Sequence, residues 1–165
     1  MRSGQPILNG GDQLPKFIVD GMLGKLCRWL RLLGFDSSYA GCEISDSEII
    51  EISLLQNRII LTSDRELSSR SGNALFINSR DLKVQIKYVL SQYAPSPGLF
   101  MGRCSICNGE LESVNLKQVN EKVPDSVYER KIPVKHCRNC GKYYWEGSHY
   151  FSIINKLREL SGEIV

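Results

Sequence analysis

Arg58-Ile59-Ile60-Leu61-Thr62-Ser63-Asp64-Arg65-Glu66-Leu67 is the stretch that decides the fold. Its β-branched and aliphatic run has the composition of a buried strand, and it stops abruptly at Thr62-Ser63-Asp64. Asp64 therefore falls where a strand ends. Ligands of open α/β sheets bind in the crevice at the carboxyl ends of the strands, so an acid placed there is a candidate for chemistry. Ser63-Asp64-Arg65-Glu66 also has the spacing of a capping box and predicts a short helix directly after the strand.

The same grammar recurs on either side. Lys16-Phe17-Ile18-Val19-Asp20 is a first short apolar run ending in an acid. Leu23, Leu26, Cys27, Leu30 and Leu33 then recur at steps of three and four, giving one apolar helix face that Gly34 terminates. Cys27 belongs to that face as a small core residue. Phe35 to Ala40 forms a second strand, and Ser45-Asp46-Ser47-Glu48 is a capping box opening a helix through Ile49, Ile50, Ile52, Leu54 and Leu55. Ala74 to Ile77 forms a fourth strand, and Asp81 opens a helix carrying Leu82, Ile86, Val89 and Leu90. Strands that alternate with helices predict a parallel sheet covered by helices. In that arrangement helix amino termini share an edge with the carboxyl ends of the strands. Asp20, Asp46, Asp64 and Asp81 are thus expected on one edge, with Glu43, Glu48 and Glu66 close enough to substitute.

Tyr93-Ala94-Pro95-Ser96-Pro97-Gly98 ends the alternation, because two prolines and a glycine stop the preceding helix. We divide the chain into a lead-in at 1–15, an α/β domain at 16–94, a linker at 95–102, a cysteine-bearing module at 103–147 and a closing helix at 148–165. Four of the six cysteines fall in two Cys-x-x-Cys pairs, Cys104/Cys107 and Cys137/Cys140. That spacing suits a closed, structural tetrahedral zinc site better than disulfides. His136 adjoins a ligand, but four thiolates leave it no vacancy.

At 165 residues, 42% hydrophobic and 24% charged, the chain fits a globular protein with one ordinary domain and a small module. The net charge of +3 permits a nucleic-acid partner without requiring one. Apolar runs are too short to cross a bilayer, and residues 1–15 lack the apolar core of a secretory signal, so a cytosolic protein is expected. Lys25, Arg28 and Arg31, spaced by three, form either a solvated basic face or a stripe of phosphate contacts beside Asp20. Arg130 to Tyr144 carries five Lys or Arg and no acid, followed by Tyr143-Tyr144-Trp145. These aromatics either stack bases or form the small core of a ribbon. His149 either contacts a phosphate or caps the last helix.

Carboxylates gathered on one edge repel one another unless they share a cation. Oxygen donors suit Mg²⁺ or Mn²⁺, which can activate water for phosphodiester hydrolysis. Taken singly, each acid is also explained as a helix cap or turn residue. A phosphoacceptor receiver would need a second acid beside Asp20, and a dehalogenase-type phosphatase an Asp at position 22. Gly21-Met22 supplies neither.

Five stretches in combination resemble the Mut-seven C-terminal RNase domain family. They are Val19-Asp20-Gly21-Met22-Leu23-Gly24-Lys25-Leu26; Arg28 to Asp36; Leu61 to Leu67; Arg103-Cys104-Ser105-Ile106-Cys107-Asn108-Gly109; and Cys140 to His149. The resemblance runs from about Lys16 to Tyr150 and implies a PIN-like nuclease domain with an attached zinc ribbon. By position it implies a metal-dependent endoribonuclease acting on RNA. Asp20, Asp46 and Asp64 would be catalytic acids holding Mg²⁺ or Mn²⁺, and Asp81 or Glu66 the fourth. Lys25, Arg28 and Arg31 would bind substrate, and Cys104, Cys107, Cys137 and Cys140 the zinc. The chain departs from the family at Ser63, where Arg is usual, which removes a basic contact. From another class, a non-catalytic RNA-binding or adaptor protein with the same fold fits these residues too.

Overall fold

The computed structural model of the protein describes residues 14–94 and 100–161, without the side chains of Asn120, His149, Leu157, Leu160 and Ser161. Thus most of the lead-in, part of the linker and the contacts of the His149 imidazole lie outside the described residues.

Four parallel strands run β1 Lys16–Asp20, β2 Asp36–Gly41, β3 Arg58–Thr62 and β4 Ala74–Phe76, in the order β2-β1-β3-β4. Their connections are helical: α1 Gly24–Leu32, α2 Asp46–Gln56 and α3 Arg65–Arg70, with α4 Leu82–Gln92 following β4. Because side chains alternate along a strand, each strand feeds two cores. Phe17, Val19 and Leu61 meet Leu26 and Leu30 of α1, Leu33 just after it, and Ile86 and Val89 of α4 on one face. Ile18 and Ile60 meet Ile49 of α2 and Leu67 of α3 on the other. The result is a helix–sheet–helix sandwich.

The predicted elements fall into place with shifts at their ends. The second strand begins at Asp36 and the fourth ends at Phe76. The capping box at Ser45 and Glu48 forms as expected. Helix α3, however, is capped by Asp64 rather than Ser63: its Oδ1 accepts the N–H groups of Glu66 and Leu67. An aspartate at the end of a strand reaches those donors directly, so the box spacing at Ser63 goes unused.

The cysteine-bearing module is a zinc-ribbon fold. Strands β5 Leu111–Val114, β6 Val134–Cys137 and β7 Tyr143–Trp145 form an antiparallel sheet with β6 in the centre. Short helix α5 Asp125–Glu129 closes a core of Val119, Val123, Val127 and Val134, against which Tyr143 and Trp145 pack. Helix α6 Ser148–Ser161 then returns to the first domain, where Ile153 and Ile154 join its core. Among the described residues no helix is long and apolar enough to cross a membrane.

The first cysteine knuckle is fastened to the sheet by a polar cluster. Asp36 pairs with Arg58 at 2.7 Å and accepts the Asn108 side-chain amide at 2.7 Å, while Asn108 accepts the Ser37 N–H at 3.0 Å. Arg31 corrects an expectation here. It is buried, and its guanidinium donates to the carbonyls of Ser37, Ser105 and Ile106. The helical spacing of Lys25, Arg28 and Arg31 is real, but Arg31 is consumed by docking the knuckle and is not free to bind phosphate.

Burial raises the Asp36 pKa, yet the Arg58 and Asn108 hydrogen bonds outweigh it and hold the carboxyl below its usual value. A depressed folded-state pKa gives stability that is present above the unfolded value near 4 and lost as pH falls through the folded one. Acid titration of stability should therefore be shallower in Asp36→Asn than in the parent chain. Asp36→Ala, which leaves Arg58 unpaired, should cost about 3 kcal/mol in urea denaturation.

Candidate acidic edge and cysteine cluster

The chain leaves β1 for β2 on one side and then crosses back to β3 on the other. Strand order thus reverses between β1 and β3, and the crevice at their carboxyl ends is the topological switch point. Asp20 and Asp64 flank it. Gly21 turns the chain out of β1 where a Cβ would sit 2.6 Å from the Gly41 carbonyl oxygen, so a side chain cannot be accommodated there without moving β2.

A hydroxyl links the two acids. Fully buried Thr62 donates its Oγ1–H to Asp20 Oδ2 at 2.7 Å, and Thr62 Oγ1 in turn accepts the Asp64 backbone N–H at 2.9 Å. Asp64 Oδ1 is spent on capping α3. Oδ1 of Asp20 and Oδ2 of Asp64 have no hydrogen bond among the described residues and remain as hard oxygen donors.

The other acids share the edge but have other contacts. Asp46 opens α2, and its carboxylate lies 3.7 Å from Arg70, which lies equally close to Glu66. Asp81 caps α4 through the N–H groups of Lys83 and Val84, beyond edge strand β4. Glu48 is committed to its capping box, where the Ser45 hydroxyl and backbone N–H lower its pKa. Glu43 is exposed in the loop after β2.

Topology therefore brings Asp20, Asp46, Asp64 and Asp81 to one edge without drawing them into a cage. Among the described residues no three carboxylates have oxygens within 4.8 Å of one another. Two contributions were missed in the sequence. Thr62 was visible in its motif, but its bond to Asp20 requires the β1–β3 pairing. Arg70 gave no signal, because its place depends on α3 lying beside the start of α2.

The cysteines do converge. Their four Sγ atoms lie within 4.8 Å of one another, with Cys104–Cys140 at 3.5 Å and Cys107–Cys137 at 3.4 Å. These separations are far beyond a disulfide bond, and a tetrahedron with metal–sulfur bonds of about 2.3 Å has edges of about 3.8 Å. The soft, closed donor set fits zinc. Tyr144 adds a hydroxyl 3.0 Å from Cys104 Sγ. Burial pushes the Cys104 thiol up, but Tyr144 and the backbone N–H groups of Cys107 and Ile106 bring it down to about 6. Cys107 is pushed up to about 12, by burial first and then by the neighbouring sulfurs. His136 makes no ligand; it lies 3.8 Å from Glu112 and against the Tyr143 ring.

Lys25 and Arg28 are exposed on α1, and both line a groove of about 610 Å³ between that helix, β7 and the start of α6.

Among known proteins, the Mut7-C RNAse domain family model matches residues 15–157. No curated protein and no solved structure matches the chain.

A hydroxyl beside a metal-bound sulfur tunes the ligand from outside the coordination sphere. Tyr144→Phe should bind zinc roughly tenfold more weakly in competition with a chromogenic chelator. Cys104→Ser should lose stoichiometric zinc altogether.

Proposed function

We propose that this chain, which belongs to the Mut7-C RNAse domain family, is a metal-dependent ribonuclease whose chemistry takes place at the Asp20–Asp64 crevice. The observation that carries this is the Thr62 hydroxyl, which donates to the Asp20 carboxylate and accepts the backbone N–H of Asp64 across the switch point, while one oxygen of each acid has no hydrogen bond among the described residues. Those two, with Asp46, would hold Mg²⁺ or Mn²⁺. The donor chemistry fits, since such ions need only one or two protein carboxylates when water and substrate phosphates complete the shell. When bound, the ion supplies a nucleophilic water at neutral pH and neutralises charge developing on the phosphate.

The residues of the chain set the geometry. Thr62 keeps Asp20 in place, and the α3 cap fixes the direction of Asp64. Lys25, in the first turn of α1, places a positive charge at the same edge for an incoming phosphate. Asp81 or Glu66 would serve as fourth acid. Glu66 is the better placed of the two, because Arg70 holds it beside Asp46.

That same Arg70 favours a second reading. An internal cation between Asp46 and Glu66 relieves part of the repulsion that would otherwise call for a metal, as expected of an RNA-binding module without catalysis.

Cleavage of mixed RNA in Mn²⁺ separates the readings. Asp64→Asn is the cleanest test, because asparagine preserves the helix cap while losing the charge. It should leave the melting temperature nearly unchanged and lower the cleavage rate roughly 100-fold or more, as should Asp20→Asn. Rates unchanged in both variants would eliminate the enzyme.

A further inference from the structure

The groove between α1 and the ribbon has a composition that its place as an interdomain seam does not require. Among the described residues three cations line it, Lys25 and Arg28 from α1 and Lys142 from the turn before β7, and one carboxylate, Glu146, stands beside it against Tyr150. Between them stand Trp29, Tyr143 and Tyr150, each partly exposed. Two of these rings are held by neighbours: the Lys156 ammonium is 5.7 Å above Trp29, and the His136 ring is 4.7 Å from Tyr143.

Direction follows from the fold. Helix α1 runs back along the sheet from the carboxyl edge, so Lys25 lies at the end that carries Asp20. Leu82, the first residue of α4, lines the groove at that same edge. Leu32, Met101 and Ser105 line the far end, beside the docked knuckle. The track alongside α1 is about 13 Å long, from nine residues at 1.5 Å each.

We propose that this groove binds single-stranded RNA and leads it to the Asp20–Asp64 edge. The direction of delivery rests on the ribonuclease reading; the binding does not. Three cations against one neighbouring acid attract a phosphate backbone, and pre-held aromatic rings offer stacking faces to any base. Stacking requires bases splayed out of a helix, and a paired A-form duplex does not present them. An acidic peptide would satisfy the cations but leave the stacking faces without a purpose.

The test is fluorescence anisotropy of a labelled oligouridylate and of a matching RNA duplex with the full, zinc-loaded chain, with Ca²⁺ in place of Mn²⁺. Arg28→Glu/Lys142→Glu should weaken oligouridylate binding by roughly tenfold or more, and Lys87→Glu, on α4 outside the groove, by less than about twofold. Tyr150→Leu should weaken it by roughly fivefold without altering salt dependence, the signature of lost stacking. Circular dichroism and zinc content identify variants that remain folded. Unchanged affinity in folded groove variants, or duplex bound as tightly as single strand, overturns the proposal, including the case in which a protein is the true occupant. If groove variants lose RNA binding while the parent chain shows no Mn²⁺-dependent cleavage, the groove stands and the ribonuclease reading falls. If cleavage depends on Asp20 but groove variants bind normally, the groove falls alone.

Discussion

The Asp36 carboxylate is the point on which the arrangement of the two modules depends. It lies at the start of β2, where the Arg58 guanidinium reaches it from the start of β3 and also donates to the Phe17 carbonyl of β1. One ion pair thus ties together the amino ends of three strands. The same carboxylate accepts Asn108 from the first cysteine knuckle, and Arg31 secures that knuckle's carbonyls from α1. Partly buried ions are costly unless their hydrogen-bonding capacity is filled, and the ribbon's Asn108 fills part of that of Asp36. Among the described residues no buried side-chain nitrogen or oxygen lacks a partner.

Fastening the ribbon at the amino edge of the sheet leaves the carboxyl edge open. Among the described residues Asp20 stays partly exposed and Asp64 exposed there, and the seam between α1 and β7 becomes a groove instead of a closed interface. The aromatic triplet illustrates the division. Tyr143 and Trp145 pack on the valine core of the ribbon, and both also line the groove. Tyr143 and Trp145 thus have one side on the core and another on the groove, because a three-stranded ribbon is too thin to bury its aromatics fully.

Much of the fold was legible because its signals are local. Short β-branched runs ending in acids, helical spacing from Leu23 to Leu33 and the Ser45 capping box depend on neighbours a few residues away. The two Cys-x-x-Cys pairs were legible for a related reason: ligand spacing is imposed by the tetrahedron. Basic residues were harder. Lys25, Arg28 and Arg31 are indistinguishable by type and spacing, yet two face the groove and one is buried under a knuckle more than seventy residues away.

By itself the sequence determined the order of strands and helices, the edge on which the acids fall and which four cysteines converge. Each follows from periodicity, capping chemistry or ligand count along a continuous segment. Only the tertiary structure decided which acids are tied together, which cation joins Asp46 to Glu66, and where the ribbon sits. Those outcomes depend on hydrogen bonds and packing between segments far apart in the chain: Thr62 with Asp20, Arg70 with Asp46, Asn108 with Asp36. No local pattern encodes such a partner, because the geometry that selects it exists only once the strands have paired.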